Sequence, residues 1–121
     1  MTQPLVVYVD IDDTLVRSVG TKRIPVPSTV SYVRALKVRG ARLFCWSAGG
    51  GDYAREVAGE LGIAECFEAF LPKPELMIDD IPVANWPLLE MHPNDCAGRE
   101  SADELGALTA EARRRTPRRT P

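Results

Sequence analysis

The five residues Leu5-Val6-Val7-Tyr8-Val9 form an unbroken apolar, largely β-branched run, and Asp10-Ile11-Asp12-Asp13-Thr14 follows directly. Such a run without alternation reads as a strand buried on both faces, the pattern of a parallel sheet rather than of an antiparallel one. Acids are poor strand residues, so the chain leaves the sheet at Asp10 and presents carboxylates at that strand's carboxyl end. In open parallel sheets this rim is where ligands bind.

The rest of the chain continues the same alternation. After Val16 to Pro27, which reads as a loop or small hairpin, helical spacing at Val30, Val33, Leu36 and Val38 predicts a helix capped by Ser28 or Thr29 and closed at Gly40. A second strand is expected over Ala41 to Trp46. A glycine turn follows at Ser47-Ala48-Gly49-Gly50-Gly51, and Asp52 is placed to cap a helix that ends near Leu61 and Gly62. Phe67 to Leu71 reads as a short strand or turn, Glu75 to Ile78 as the third clear strand ending at Asp79-Asp80, and Leu88 to Met91 as a last strand. Alternation of strand and helix predicts an α/β fold of three layers, a mostly parallel Rossmann-like sheet with helices on both faces. Residues 1–96 are assigned to this domain. Residues 97–121 are assigned to a peripheral helix, anchored by Leu105 and Leu108, and a basic tail that reads as frayed.

Composition narrows the chemistry. A chain of 121 residues supports one core and no separate substrate-binding domain. Three cysteines without CxxC spacing suggest neither a disulfide framework nor a thiolate zinc site. The lone histidine, His92, makes a His-rich metal centre or a Ser-His-Asp hydrolase hard to build and reads as structural. Five arginines lie at positions 113, 114, 115, 118 and 119; without them ten basic and seventeen acidic residues leave a body of net −7. Such a body is a poor nucleic-acid surface, so nucleic acid is not expected as a partner. No run approaches the roughly 20 apolar residues that span a bilayer, and no basic-then-apolar leader opens the chain, so a cytoplasmic location is the expectation.

Whatever chemistry exists must therefore rest on carboxylates. Asp10 and Asp12, spaced i and i+2 at a strand end, can face one crevice, and Asp79 or Asp80 from another strand would join them. Close acids repel unless a hard divalent cation sits among them, and oxygen donors suit magnesium. Ser47, the amides of the Ala48 to Gly51 turn and the charge of Lys73, set between Pro72 and Pro74, are of the type that holds phosphate oxygens.

In this order the residues resemble the four motifs of the haloacid dehalogenase superfamily, most of whose members are phosphatases. DxDxT stands at Asp10 to Thr14, a strand ending in serine at Leu43 to Ser47, a lysine at Lys73, and a strand ending in two acids at Leu76 to Asp80. The resemblance spans about Leu5 to Asp80. It implies a magnesium-dependent phosphomonoester hydrolase in which Asp10 is the nucleophile and Asp12 the general acid and base. It further implies magnesium held by the Asp10 side chain, the Asp12 backbone carbonyl and Asp79, with Asp80 orienting a ligand water or Lys73, and a phosphoryl group held by Thr14, Ser47, Ala48 and Lys73.

Members of that family often select substrates with an inserted cap domain. Here Leu15 to Pro27 and Gly62 to Pro72 are each about a dozen residues, too short for one. An open site implies a bulky or macromolecular phosphorylated substrate, or a homo-oligomer whose neighbour covers it; Arg17, Lys22 and Arg23 are candidate grips on a phosphorylated ligand. Two alternatives stand beside hydrolysis: a non-catalytic module that binds magnesium and a phospho-ligand or accepts a phosphoryl group, and a phosphotransferase of the same family.

Overall fold

The structure, a computed structural model, describes residues 3–115. Val6–Asp10 (β1) leads into a hairpin of Val16–Val19 (β2) and Lys22–Pro25 (β3), then Pro27–Val38 (α1), Arg42–Ser47 (β4), Gly51–Glu60 (α2), Phe67–Pro72 (β5) and Ala102–Arg115 (α3). β1, β4 and β5 make a three-stranded parallel sheet in the order β1-β4-β5, with Asp10 opposite Trp46 and Ser47 opposite Pro72. The protein is thus a small α/β domain with three α-helices and a separate antiparallel hairpin.

Both crossovers step the same way across the sheet, so right-handed connections put α1 and α2 on one face. Burial follows that placement. Val9, Leu43 and Cys45 point into the core with Val33 and Leu36 of α1 and Ala54, Val57 and Ala58 of α2. Val6 and Tyr8, on the opposite face of β1, remain 54% and 48% exposed, and Tyr8 stacks on Phe44 and meets Trp46 edge-on. The expected helices on both faces are therefore not formed by this pair. α3 joins the α1 side: buried Leu105 lies with Leu36 and Leu5, and Arg113 donates to the Gln3 carbonyl. This helix is thus held near its start by Leu105 and near its end by Arg113, while the rest of the basic tail, Arg118 and Arg119, lies outside the described residues.

Helix starts differ from expectation for local reasons. α1 begins at Pro27, whose fixed φ suits a first helical residue, so Ser28 and Thr29 fall inside the first turn instead of capping it. α2 is capped by Gly50, with φ +102°, and Asp52 sits in its first turn.

Two expected strands are absent. Glu75 to Ile78 is irregular, with Leu76 and Ile78 77% and 89% exposed. Chain geometry explains this: Pro72 ends β5 at the carboxyl rim, and only Lys73 and Pro74 separate it from Glu75. A further parallel strand would have to start at the opposite end of the sheet, and such a return takes a dozen or more residues. An antiparallel return is discouraged by prolines 72 and 74, which lack the N–H a ladder needs. Leu88 to Met91 is likewise outside the sheet, and the Leu88 carbonyl accepts from Arg115. No helix among the described residues is long and apolar enough to cross a membrane.

All three thiols are buried. Burial, helped by the Asp10 carboxylate, pushes Cys45 up to about 12, and burial also raises Cys66, Cys96 and the Tyr32 phenol. An unfolded thiol titrates near 8.5, so the folded chain holds a proton that the unfolded chain has lost. Stability from Cys45 is complete below about pH 8.5 and declines as pH rises toward 12. Urea unfolding at pH 10.5 is expected to give a free energy lower than at pH 8 by on the order of 2–3 kcal/mol from this group, and Cys45→Ala should flatten that slope.

Candidate active site

The rim is organised by Ile11, which is fully buried between two acids that are not. Its carbonyl accepts from the amides of Thr14, Leu15 and Val16 at 3.2, 2.9 and 3.2 Å, and the Asp13 amide donates to Val16 O at 2.7 Å. The turn closes because Asp13 takes φ +60°, a left-handed conformation that Asp tolerates better than most residues. Buried Leu15 and Val16 pin its far side.

Asp10 receives donors on both oxygens. Thr14 Oγ1 donates to Oδ2 at 3.2 Å, and Lys73 Nζ lies 3.3 Å from Oδ1. The lysine is delivered by backbone pairing: Lys73 N donates to Ser47 O at 2.9 Å, extending the β4–β5 ladder one residue past Pro72. Ser47, 1% exposed, ends β4; its Oγ accepts from Gly49 N at 3.0 Å, and its carbonyl also accepts from Gly50 N at 3.0 Å. Because Oγ acts there as an acceptor, the hydroxyl proton stays available for another oxygen. Ala48 is exposed at the tip of this turn.

Asp12 is held from the next helix. Tyr53 OH donates to Asp12 Oδ1 at 2.7 Å, and that bond to a carboxylate, with partial burial, raises the phenol above its ordinary value. Sequence reading did not assign Tyr53 this role. Its spacing carried a signal nonetheless: Tyr53, Glu56 and Glu60 lie on one face of α2, and the hairpin's Arg23 runs along that face. Arg23 pairs with Glu60 through two nitrogens at 3.1 and 2.5 Å, approaches Glu56 at 3.6 Å and sits 5.6 Å from the Tyr53 ring centroid. Arg23 thus ties the hairpin to α2 in this structure. Arg17 and Lys22 remain exposed on the hairpin.

Asp79 and Asp80 are not brought to this pair. Both are exposed, and Asp79 Oδ1 accepts from Ile81 N at 2.9 Å in a local turn. Among the described residues no group of three or more His, Cys, Asp or Glu side chains is arranged to hold a metal. Asp10 and Asp12 still supply the hard oxygen donors magnesium takes, and that ion is commonly held by one or two carboxylates, waters and a substrate phosphate. His92 stands apart, its Nδ1 accepting from Asn94 N at 3.1 Å; Trp86 donates to Ile81 O at 3.0 Å.

No family model, curated protein or solved structure matches the chain.

The glycine turn has a packing role besides any ligand. A Cβ on Gly51 would lie 2.6 Å from Phe70 O, so the start of α2 rests directly on β5 backbone. Gly51→Ala is expected to destabilise the fold by about 1–3 kcal/mol, the usual cost of overpacking against atoms that cannot turn aside. Urea unfolding of the variant measures it.

Proposed function

We propose that this chain is a magnesium-dependent phosphohydrolase of the haloacid dehalogenase type, working through an aspartyl-phosphate on Asp10. The observation that carries the reading is the Lys73–Asp10 contact of 3.3 Å, joining the first motif to the third across the rim. Thr14 on the same carboxylate and Ser47 at the neighbouring strand end add to it. On this proposal the chain is a minimal Rossmann-like domain without a cap.

In the proposed reaction a carboxylate oxygen of Asp10 forms a bond to phosphorus as the ester P–O bond breaks. Asp12 gives its proton to the departing oxygen. Asp12, now ionised, takes a proton from water as the water oxygen attacks phosphorus, and the Asp10–phosphorus bond breaks to release inorganic phosphate. Ser47, the Ala48 amide and Lys73 hold the phosphoryl oxygens and offset their charge, so most of the work is positioning and electrostatics. Magnesium bound by the Asp10 carboxylate and the Asp12 backbone carbonyl would supply further positive charge at those oxygens and leave the Asp12 carboxyl free for proton transfer. Asp79 and Asp80 enter this reading as acids within chain reach of the rim, since Asp79 follows Lys73 by six residues.

Phosphate release from a panel of phosphomonoesters, with and without magnesium, tests the reading. Wild type is expected to require the metal, and Asp10→Asn to lose activity by about 10³-fold or more. Equal activity in the variant would refute the nucleophile, whereas metal and phosphate binding without turnover would identify the binding module instead. If Asp79 joins the ion, Asp79→Asn should raise the magnesium concentration for half-maximal rate by about 10-fold; an unchanged requirement would leave Asp10 and Asp12 as the chain's own ligands.

A further inference from the structure

A general acid works only when its proton is presented to the leaving oxygen, and an exposed aspartate at a turn has two equivalent oxygens and a freely rotating carboxyl. Asp12 is such a residue, yet one of its oxygens is taken: Oδ1 accepts the Tyr53 hydroxyl at 2.7 Å. We propose that Tyr53 is a positioning residue for Asp12, fixing the carboxyl so that Oδ2 carries the proton delivered to the leaving group. The proposal rests on the hydrolase reading above and adds a residue that the motif resemblance does not contain.

Several independent features hold Tyr53 where this requires. It lies in the first turn of α2, which follows β4 after the glycine turn, so the helix start and the Asp10–Asp12 turn share one rim. A Cβ on Gly49 would come within 3.0 Å of Tyr53 Cδ2, so the absent side chain leaves room for the ring against the turn. The Arg23 guanidinium lies 5.6 Å from the ring centroid and is itself fixed by Glu56 and Glu60, one and two turns further along the same helix face. The ring is therefore bounded by the glycine turn and by the hairpin, and its hydroxyl points at Asp12. A phenol donating to Oδ1 is directional in both states of Asp12: it bonds the carbonyl oxygen of the protonated acid, leaving the proton on Oδ2, and becomes a stronger charge-assisted bond once the acid is ionised.

The test uses leaving groups, because a poor one needs the proton and a good one does not. Tyr53→Phe keeps the ring, its packing and the contact with Arg23, and removes only the hydroxyl. Wild-type and Tyr53→Phe chains are compared with magnesium present on phenyl phosphate and 4-nitrophenyl phosphate, reading kcat/KM, which includes leaving-group departure. The variant is expected to lose about 10- to 100-fold on phenyl phosphate, a part of what general acid catalysis supplies, and less than about 2-fold on 4-nitrophenyl phosphate, whose phenolate leaves unprotonated. Asp12→Asn should show the same selectivity, more strongly. Equal losses on both esters, or none on either, would overturn the positioning role while leaving the hydrolase reading in place. A wild type that turns over neither ester would overturn the hydrolase reading and this proposal together.

Discussion

Everything at the rim depends on the burial of Ile11. Its side chain occupies the core and its carbonyl collects three amides of the turn that follows, so Asp10 and Asp12 on either side are held where the strand ends. Burying an Ile side chain is worth roughly 1.5–3 kcal/mol, enough to hold a turn whose Asp13 takes a left-handed conformation. The hydrophobic effect here does a job that carboxylates alone would resist: it keeps two like charges neighbours in a fixed frame. Donors then settle them, Lys73 and Thr14 on Asp10 and Tyr53 on Asp12.

Those donors arrive from three different elements, which ties the site to the register of the sheet. Lys73 is placed by its amide on the Ser47 carbonyl, and Ser47 by the β4–β5 pairing. A slip of one residue would turn Ser47 out of the core and carry Lys73 off Asp10, because alternate strand residues face opposite sides. The buried faces of Leu43, Cys45 and Phe67 oppose that slip, so core packing and site geometry are one constraint.

What was legible in the sequence follows this division. The apolar run to Val9, the strand before Ser47 and the two helices announce themselves through period and glycine stops, and they carry Asp10, Asp12 and Ser47 to one rim. The misplaced strand at Glu75 to Ile78 shows where local pattern fails: Leu76-Met77-Ile78 has strand composition, but composition does not count the residues needed to return across a parallel sheet. Once Phe67–Pro72 takes the third position, Lys73 and Pro74 are too few. Tyr53 was missed for a different reason: helical spacing puts it on one face of α2 with Glu56 and Glu60, but its partner Asp12 lies on another element, and spacing does not show what a face meets.

The hairpin shows how a short excursion from a small α/β domain can constrain the rim beside it. Arg23 reads in the sequence as a free cation for gripping phosphate, yet in the fold it is bound to Glu60 and Glu56 and stands over Tyr53. Its charge is matched locally, and Glu60 is held below the usual carboxylate range by the same bond. A phosphate dianion entering the rim therefore meets two carboxylates, with Lys73 already in contact with one of them. Like charges at such distances repel in proportion to how little water screens them, and one lysine is insufficient to offset two aspartates and a dianion. A divalent cation is the simplest way to balance that charge, which is why the proposed chemistry calls for magnesium even though only two acids converge. Selectivity would then come less from added cations than from what the hairpin holds still, namely the ring of Tyr53 and through it the aim of Asp12.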